Sequence, residues 1–172
     1  QIKNPKYILG GKGANLAVMN KMSLAMQAEV PAEMYEVPIG KAAVVREGSA
    51  FSIFAMGRMV HEALAAAKTL EGLGIDCEVV DVRSIQPFDS ETAVASIKKT
   101  HRALIVHEAV RFGGFGGEIV AQLQEEAFDY LDAPIARVGA PFSPVPYSPA
   151  LEKLYIPNAE RIVAEVKKVL GI

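Results

Sequence analysis

From residue 42 onward, short runs of consecutive apolar residues alternate with longer runs in which apolar positions recur every three or four residues. The first pattern suits strands buried in a sheet and the second suits amphipathic helices lying on it. Their alternation predicts an α/β domain of three layers, a mostly parallel five-stranded sheet with helices on both faces. Ala42 to Arg46 and Phe51 to Ala55 are strand candidates, and Glu47-Gly48-Ser49 between them is short enough for a hairpin, which makes the expected sheet mixed. Met59 to Leu73 carries Val60, Ala63, Leu64, Ala67 and Leu70 at helical spacing, with Gly72 and Gly74 as terminators. Cys77 to Val82 reads as a strand, Asp89 as the N-cap of a helix running to Thr100, and Ala103 to His107 as a second continuous apolar strand. A helix from Gly116 to Leu131 and a strand from Ile135 to Val138 follow. The segment to Pro157 holds too many prolines for regular structure, and Asn158 caps a last helix to Leu170.

Residues 1–36 depart from this alternation and are read as an N-terminal segment and linker, which leaves 37–172 as the domain. Lys12 to Met26 fits a helix with Leu16, Met19 and Met22 on one side, and Glu29-Val30-Pro31-Ala32-Glu33 fits a linker. Upstream of it, Gly10-Gly11-Lys12-Gly13-Ala14-Asn15-Leu16-Ala17 resembles the opening of the ATP-grasp domain of pyruvate phosphate dikinases, and a plain glycine turn is the alternative.

Charge and cysteine usage narrow the partners. A formal net charge of −2 gives no basic face able to neutralise a row of phosphates, so nucleic acid is not an expected partner. Cys77 is the only cysteine, which excludes an intrachain disulfide, and with the scattered His61, His101 and His107 it gives too few ligands for a metal centre. Reducing cytoplasm fits this usage. No apolar run approaches the roughly 20 residues that span a bilayer, and Gln1 to Lys6 lacks the basic-then-apolar order of a signal peptide, so no membrane role is expected.

The densest candidate for chemistry is Gly113-Gly114-Phe115-Gly116-Gly117, which precedes a helix whose free amides could hold an anion. As a dinucleotide fingerprint it fails, because counting from Gly114 puts Ile119 where the third glycine belongs. Sharp turns and close helix-to-sheet packing explain the glycines better. His107 and Glu108 stand at the expected carboxyl end of a strand, where open α/β sheets place ligands, and a histidine there could transfer protons. No serine elbow, second histidine at a fixed offset or acid pair accompanies them, so no catalytic, cofactor-binding or metal-binding residue is assigned. His61 and His101 read as solvated, and Asp81 with Arg83 as a structural pair. Glu118, Gln122, Glu125, Asp129 and Asp132 fall at offsets of three and four, opposite Val120, Leu123, Ala127 and Leu131. That acidic stripe is either a solvated face or a surface for a basic partner.

Three segments, Val79 to Pro87, Val106 to Glu118 and Ala140 to Pro149, together resemble the β subunit of the thiamine-diphosphate-dependent 2-oxo acid dehydrogenases in its transketolase-like C-terminal domain. The resemblance covers Val30 to Ile172 and extends to the pyruvate, branched-chain and acetoin systems alike. It implies an assembly of α and β subunits that decarboxylates a 2-oxo acid and passes the acyl group to lipoyl-lysine, in bacterial or archaeal cytoplasm or in a mitochondrial matrix. It further implies that thiamine diphosphate and magnesium are held outside this domain. The chain has no Gly-Asp-Gly motif followed by the usual Asn and no room for a pyrimidine-binding domain before Val30, so alone it is expected to be inactive. The resemblance places a contact with a second β subunit at Gly113, Gly114, Phe115 and Gly116. It places docking of the basic subunit-binding domain of the acyltransferase on Glu125, Asp129, Asp132 and the terminal carboxylate of Ile172. The competing expectation is an autonomous nucleotide- or anion-binding module using Gly10 to Lys12 or the Gly113 cluster.

Overall fold

The computed structural model describes residues 36–172. The helix expected over Lys12 to Met26, the Gly10 turn and the linker at Glu29 to Glu33 lie outside the described residues. Strands β1 (Ala43–Arg46), β2 (Phe51–Ala55), β3 (Cys77–Asp81), β4 (Ala103–Val110) and β5 (Ala136–Ala140) form one sheet in the order β1-β3-β2-β4-β5. β2, β3, β4 and β5 pair parallel, and β1 pairs antiparallel with β3. Successive residues of a strand face opposite sides, so Ile53, Val79, Leu104 and Val106 enter one core while Phe54, Val80 and Ile105 enter the other. The first core is covered by α1 (Met59–Glu71) and α5 (Ala159–Leu170), the second by α2 (Ser90–Thr100) and α3 (Gly116–Ala127). This is the three-layer arrangement that the alternating pattern predicts. Each fully buried Phe, Ile or Leu contributes about 1.5–3 kcal/mol, and Phe51, Ile53, Phe54, Leu104 and Ile105 are all without exposed surface.

The expected hairpin between β1 and β2 does not form. β2 is buried along its whole length and lies between β3 and β4, as a strand apolar on both faces must. β1 leaves Val44 and Val45 partly exposed and serves as an edge. Gly48 makes the displacement possible by carrying the link across the start of β3: a side chain there would overlap the Cys77–Glu78 peptide. The amides of Ser49 and Ala50 then donate to the Asp76 carbonyl at 3.2 and 2.8 Å. Mixed pairing is thus present, but through β1 and β3.

Three boundaries also differ from the expectation. β4 runs on to Val110, so His107 lies inside the strand and not at its end. The helix expected to reach Leu131 stops at Ala127 and continues as one 3-10 turn, Phe128–Tyr130, because the Asp132 amide donates to the His101 carbonyl (2.9 Å) and draws the chain back toward the sheet. The proline-rich segment contains a short helix, α4 (Pro149–Tyr155), since a proline in the first turn lacks only an amide that would have no partner there. The caps behave as expected: Asp89 accepts from the Thr92 amide and Asn158 from the Arg161 amide. Asp81 and Arg83 pair at 3.8 Å.

Candidate functional site

His107 organises the glycine cluster. Its imidazole is fully buried on the α3 face of β4, and Gly114, Gly116 and Gly139 leave the room it occupies. A side chain at Gly116 would meet the His107 ring, one at Gly114 the Val110 carbonyl, and one at Gly139 would come within 3.0 Å of the ring. Phe115 tilts against the imidazole with centroids 4.8 Å apart. Gly113 serves differently, adopting φ +69° with open space around it. The cluster is a packing device for a histidine, and it turns the chain sharply enough to leave Phe112 outside.

Burial pushes His107 below the ordinary imidazole range, the charge of Arg137 pushes the same way, and the Ala109 carbonyl opposes them. Because that carbonyl can only accept, Nδ1 carries the proton in the neutral ring (3.0 Å), and Nε2 is buried without a partner. With no exposed surface, the ring packs against the glycine loop and holds it in place. Glu108 is exposed and has no such contacts. His61 is exposed, and His101 closes α2 in the left-handed region with Nδ1 2.8 Å from the Tyr130 carbonyl.

The acidic residues divide into two groups. Glu118 and Glu125 are exposed on α3 and Gln122 donates to Glu118 (3.1 Å), whereas Asp129 and Asp132 lie beyond the helix end and do not continue its face. Asp132 pairs with Arg102 at 3.4 Å. The inward side of α3 is formed by Ile119 as well as Leu123 and Ala127. Ile172 is 72% exposed, at the end of α5 on the other face of the sheet. The start of α5 is tied to the end of β5 by the Arg161 to Gly139 bond, and its 12 residues run back about 18 Å. Ile172 therefore lies near the end of the sheet where β5 begins, as does Asp132, which precedes Ala136 by four residues.

Sequence reading missed the surface beside the glycine loop. Phe112 (71% exposed) meets Phe142 (75% exposed) edge to face at 5.0 Å, and Val145, Tyr147, Leu151 and Leu154 continue the exposed apolar run along the proline-rich segment. Phe112, Phe142, Val145 and Tyr147 lie outside periodic elements and have no core to enter, which is the signal the sequence offers, whereas Leu151 and Leu154 stand three residues apart on α4. Arg111 from the turn after β4, Arg137 from β5 and Arg161 from α5 line one hollow next to this pair, which no linear spacing reveals. Among the described residues, no three His, Cys, Asp or Glu side chains come together in a way that could hold a metal ion, and no helix is long and apolar enough to cross a membrane.

Residues 40–162 match the family model described as the C-terminal domain of transketolase. The chain is 42% identical over 152 residues to the β subunit of acetoin:2,6-dichlorophenolindophenol oxidoreductase of Bacillus subtilis, covering 88% of this chain and 44% of that protein. It is 43% identical over 150 residues to the pyruvate dehydrogenase E1 component subunit β of the same organism, covering 87% of this chain and 46% of that one. Among solved structures, a split-gene transketolase described as an inactive β4 tetramer superposes with a TM-score of 0.71 at 33% identity, over 84% of this chain and 46% of the other. The chain thus spans less than half the length of the curated relatives it matches.

Proposed function

The chain belongs to the transketolase C-terminal domain family, and from that premise we propose that it is the assembly domain of the β subunit of a thiamine-diphosphate-dependent 2-oxo acid or acetoin dehydrogenase. Its relatives at over 40% identity carry the names of such β subunits. In this reading the domain supports contact with a second β subunit and with an α subunit, and it recruits the acyltransferase through that protein's basic subunit-binding domain. In this reading thiamine diphosphate and magnesium are bound outside this domain in the intact enzyme.

The observation that carries the reading is the exposed aromatic pair Phe112 and Phe142 beside a loop whose glycines are spent on packing His107. A surface patch of this kind marks a protein contact, and aromatic residues supply much of the energy of such contacts. The solved relative described as a β4 tetramer supports a β chain that associates with its own kind. The acyltransferase contact is assigned to Glu125, Asp129, Asp132 and Ile172, where the side-chain carboxylates accept charge-assisted bonds from arginine.

Titration of the cognate subunit-binding domain into the chain tests the docking surface. Asp132→Asn, or removal of Ile172, is expected to weaken binding about ten-fold or more, with affinity falling as salt is added. Equal affinity in both variants with no salt effect rejects this surface. Decarboxylation of a 2-oxo acid by the chain without other subunits, given cofactor and magnesium, rejects the assembly reading itself.

A further inference from the structure

Three arginines line one hollow at the open edge of β5. Arg111 follows β4, Arg137 lies within β5 and Arg161 stands in the first turn of α5. With Gly139 they line a hollow of about 410 Å³ that Phe142 borders, and an adjoining one of about 310 Å³ that reaches Glu165 and Lys168. Backbone carbonyls hold two of them in place: Arg161 donates to the carbonyls of Gly139 (2.8 Å) and Tyr155 (3.4 Å), and Arg137 to that of Arg111 (3.4 Å).

Carbonyls are neutral, so the charges stay uncompensated. Among the described residues none of the three arginines has a carboxylate partner, and the one carboxylate lining the hollows, Glu165, is held by Lys168 at 3.1 Å. Like charges gathered around one hollow repel. Arg161 also sits at the end of α5 where the helix dipole disfavours a cation. An anion at this place relieves both costs. A single carboxylate would leave two of the three charges unmatched, whereas a phosphate or diphosphate meets several arginine forks at once.

We propose that Arg111, Arg137 and Arg161 form a binding site for a small phosphate-bearing anion. The phosphate is either free or the terminal group of a larger metabolite, and the site is separate from the acidic docking surface.

Calorimetric titration of the 172-residue chain with inorganic phosphate, pyrophosphate and ADP tests it. Pyrophosphate is expected to bind at one site per chain and more tightly than inorganic phosphate. Tighter binding of ADP than of pyrophosphate assigns the phosphate to a larger molecule, and equal or weaker binding assigns it to free phosphates. Both outcomes support the site. Arg111→Gln and Arg161→Gln should each weaken pyrophosphate binding about ten-fold. The Arg111 side chain is exposed and makes no hydrogen bond among the described residues, so its variant should fold as the parent does. Absence of binding by all three ligands at millimolar concentration overturns the proposal, as does undiminished binding by both variants. Binding of a glutamate-rich peptide in place of pyrophosphate, lost in the same variants, overturns it in favour of a protein-docking surface.

Discussion

At the β1 edge of the sheet, cations reach carboxylates within the domain: Lys41 pairs with Asp89 and Glu91, Arg46 with Asp76 and Glu71, and Lys99 with Glu47 and the buried Glu78. At the β5 edge, Arg111, Arg137 and Arg161 reach only backbone carbonyls or none, and Phe112 and Phe142 stand in solvent. One edge satisfies its polar groups internally. The other leaves charge and apolar surface unmatched, which costs stability unless something else covers them. On the proposed reading, the difference separates a part of the domain that holds itself together from a part that meets a partner.

Glycines offer the strongest way to break this comparison. Alanine at Gly48 would put a methyl group into the Cys77–Glu78 peptide, and because backbone cannot rotate aside the loss should reach about 3 kcal/mol, the upper end of overpacking costs. Gly113, with open space around it, should lose only the penalty of its left-handed conformation, about 1 kcal/mol. Urea denaturation of the two variants is expected to show this order, and equal losses would remove the contrast.

Charges come next. Lys99→Met strands Glu78, 1% exposed, without its ion pair. Breaking a fully buried pair costs about 3–5 kcal/mol, and water reaching Lys99 should bring this case to about 2–3 kcal/mol. Arg111→Gln at the other edge should stay within about 0.5 kcal/mol of the parent. Thermal melts of both variants decide it: a stability loss at Arg111 matching that at Lys99 would mean the β5 edge is also held by its charges.

A smaller effect follows from pH. His107 in the folded chain has its pKa lowered by burial and by Arg137, so below the unfolded value of about 6.5 the unfolded chain takes up a proton that the folded chain resists. Stability from this site is fully present above that value and falls as pH drops toward the folded pKa, with a slope of up to about 1.4 kcal/mol per pH unit. Denaturation curves between pH 7 and pH 5 should show the fall, and His107→Gln should flatten it. An unchanged slope in the variant would mean that other groups set it.

The layers of the fold were legible because period-two and period-3.6 patterns report burial directly. Asp89 and Asn158 were identifiable as caps because capping depends on residues three positions away. Strand order was less accessible. Glu47-Gly48-Ser49 looks like a hairpin, and only the packing of Gly48 on β3, some thirty residues downstream, shows why it is not one. The glycine cluster announced sharp turns and close packing, but not that His107 was the object packed. The β5 edge stayed hidden for the same reason: Arg111, Arg137 and Arg161 become neighbours only once β4, β5 and α5 are in place.

Sedimentation velocity over a concentration series tests most directly whether the β5 edge is the associating face. The parent chain is expected to associate reversibly as concentration rises. Phe112→Ser with Phe142→Ser should remain monomeric, while Val45→Thr on the β1 edge should sediment as the parent does. A parent that stays monomeric at every concentration, or one whose association is lost equally through Val45, would contradict the account.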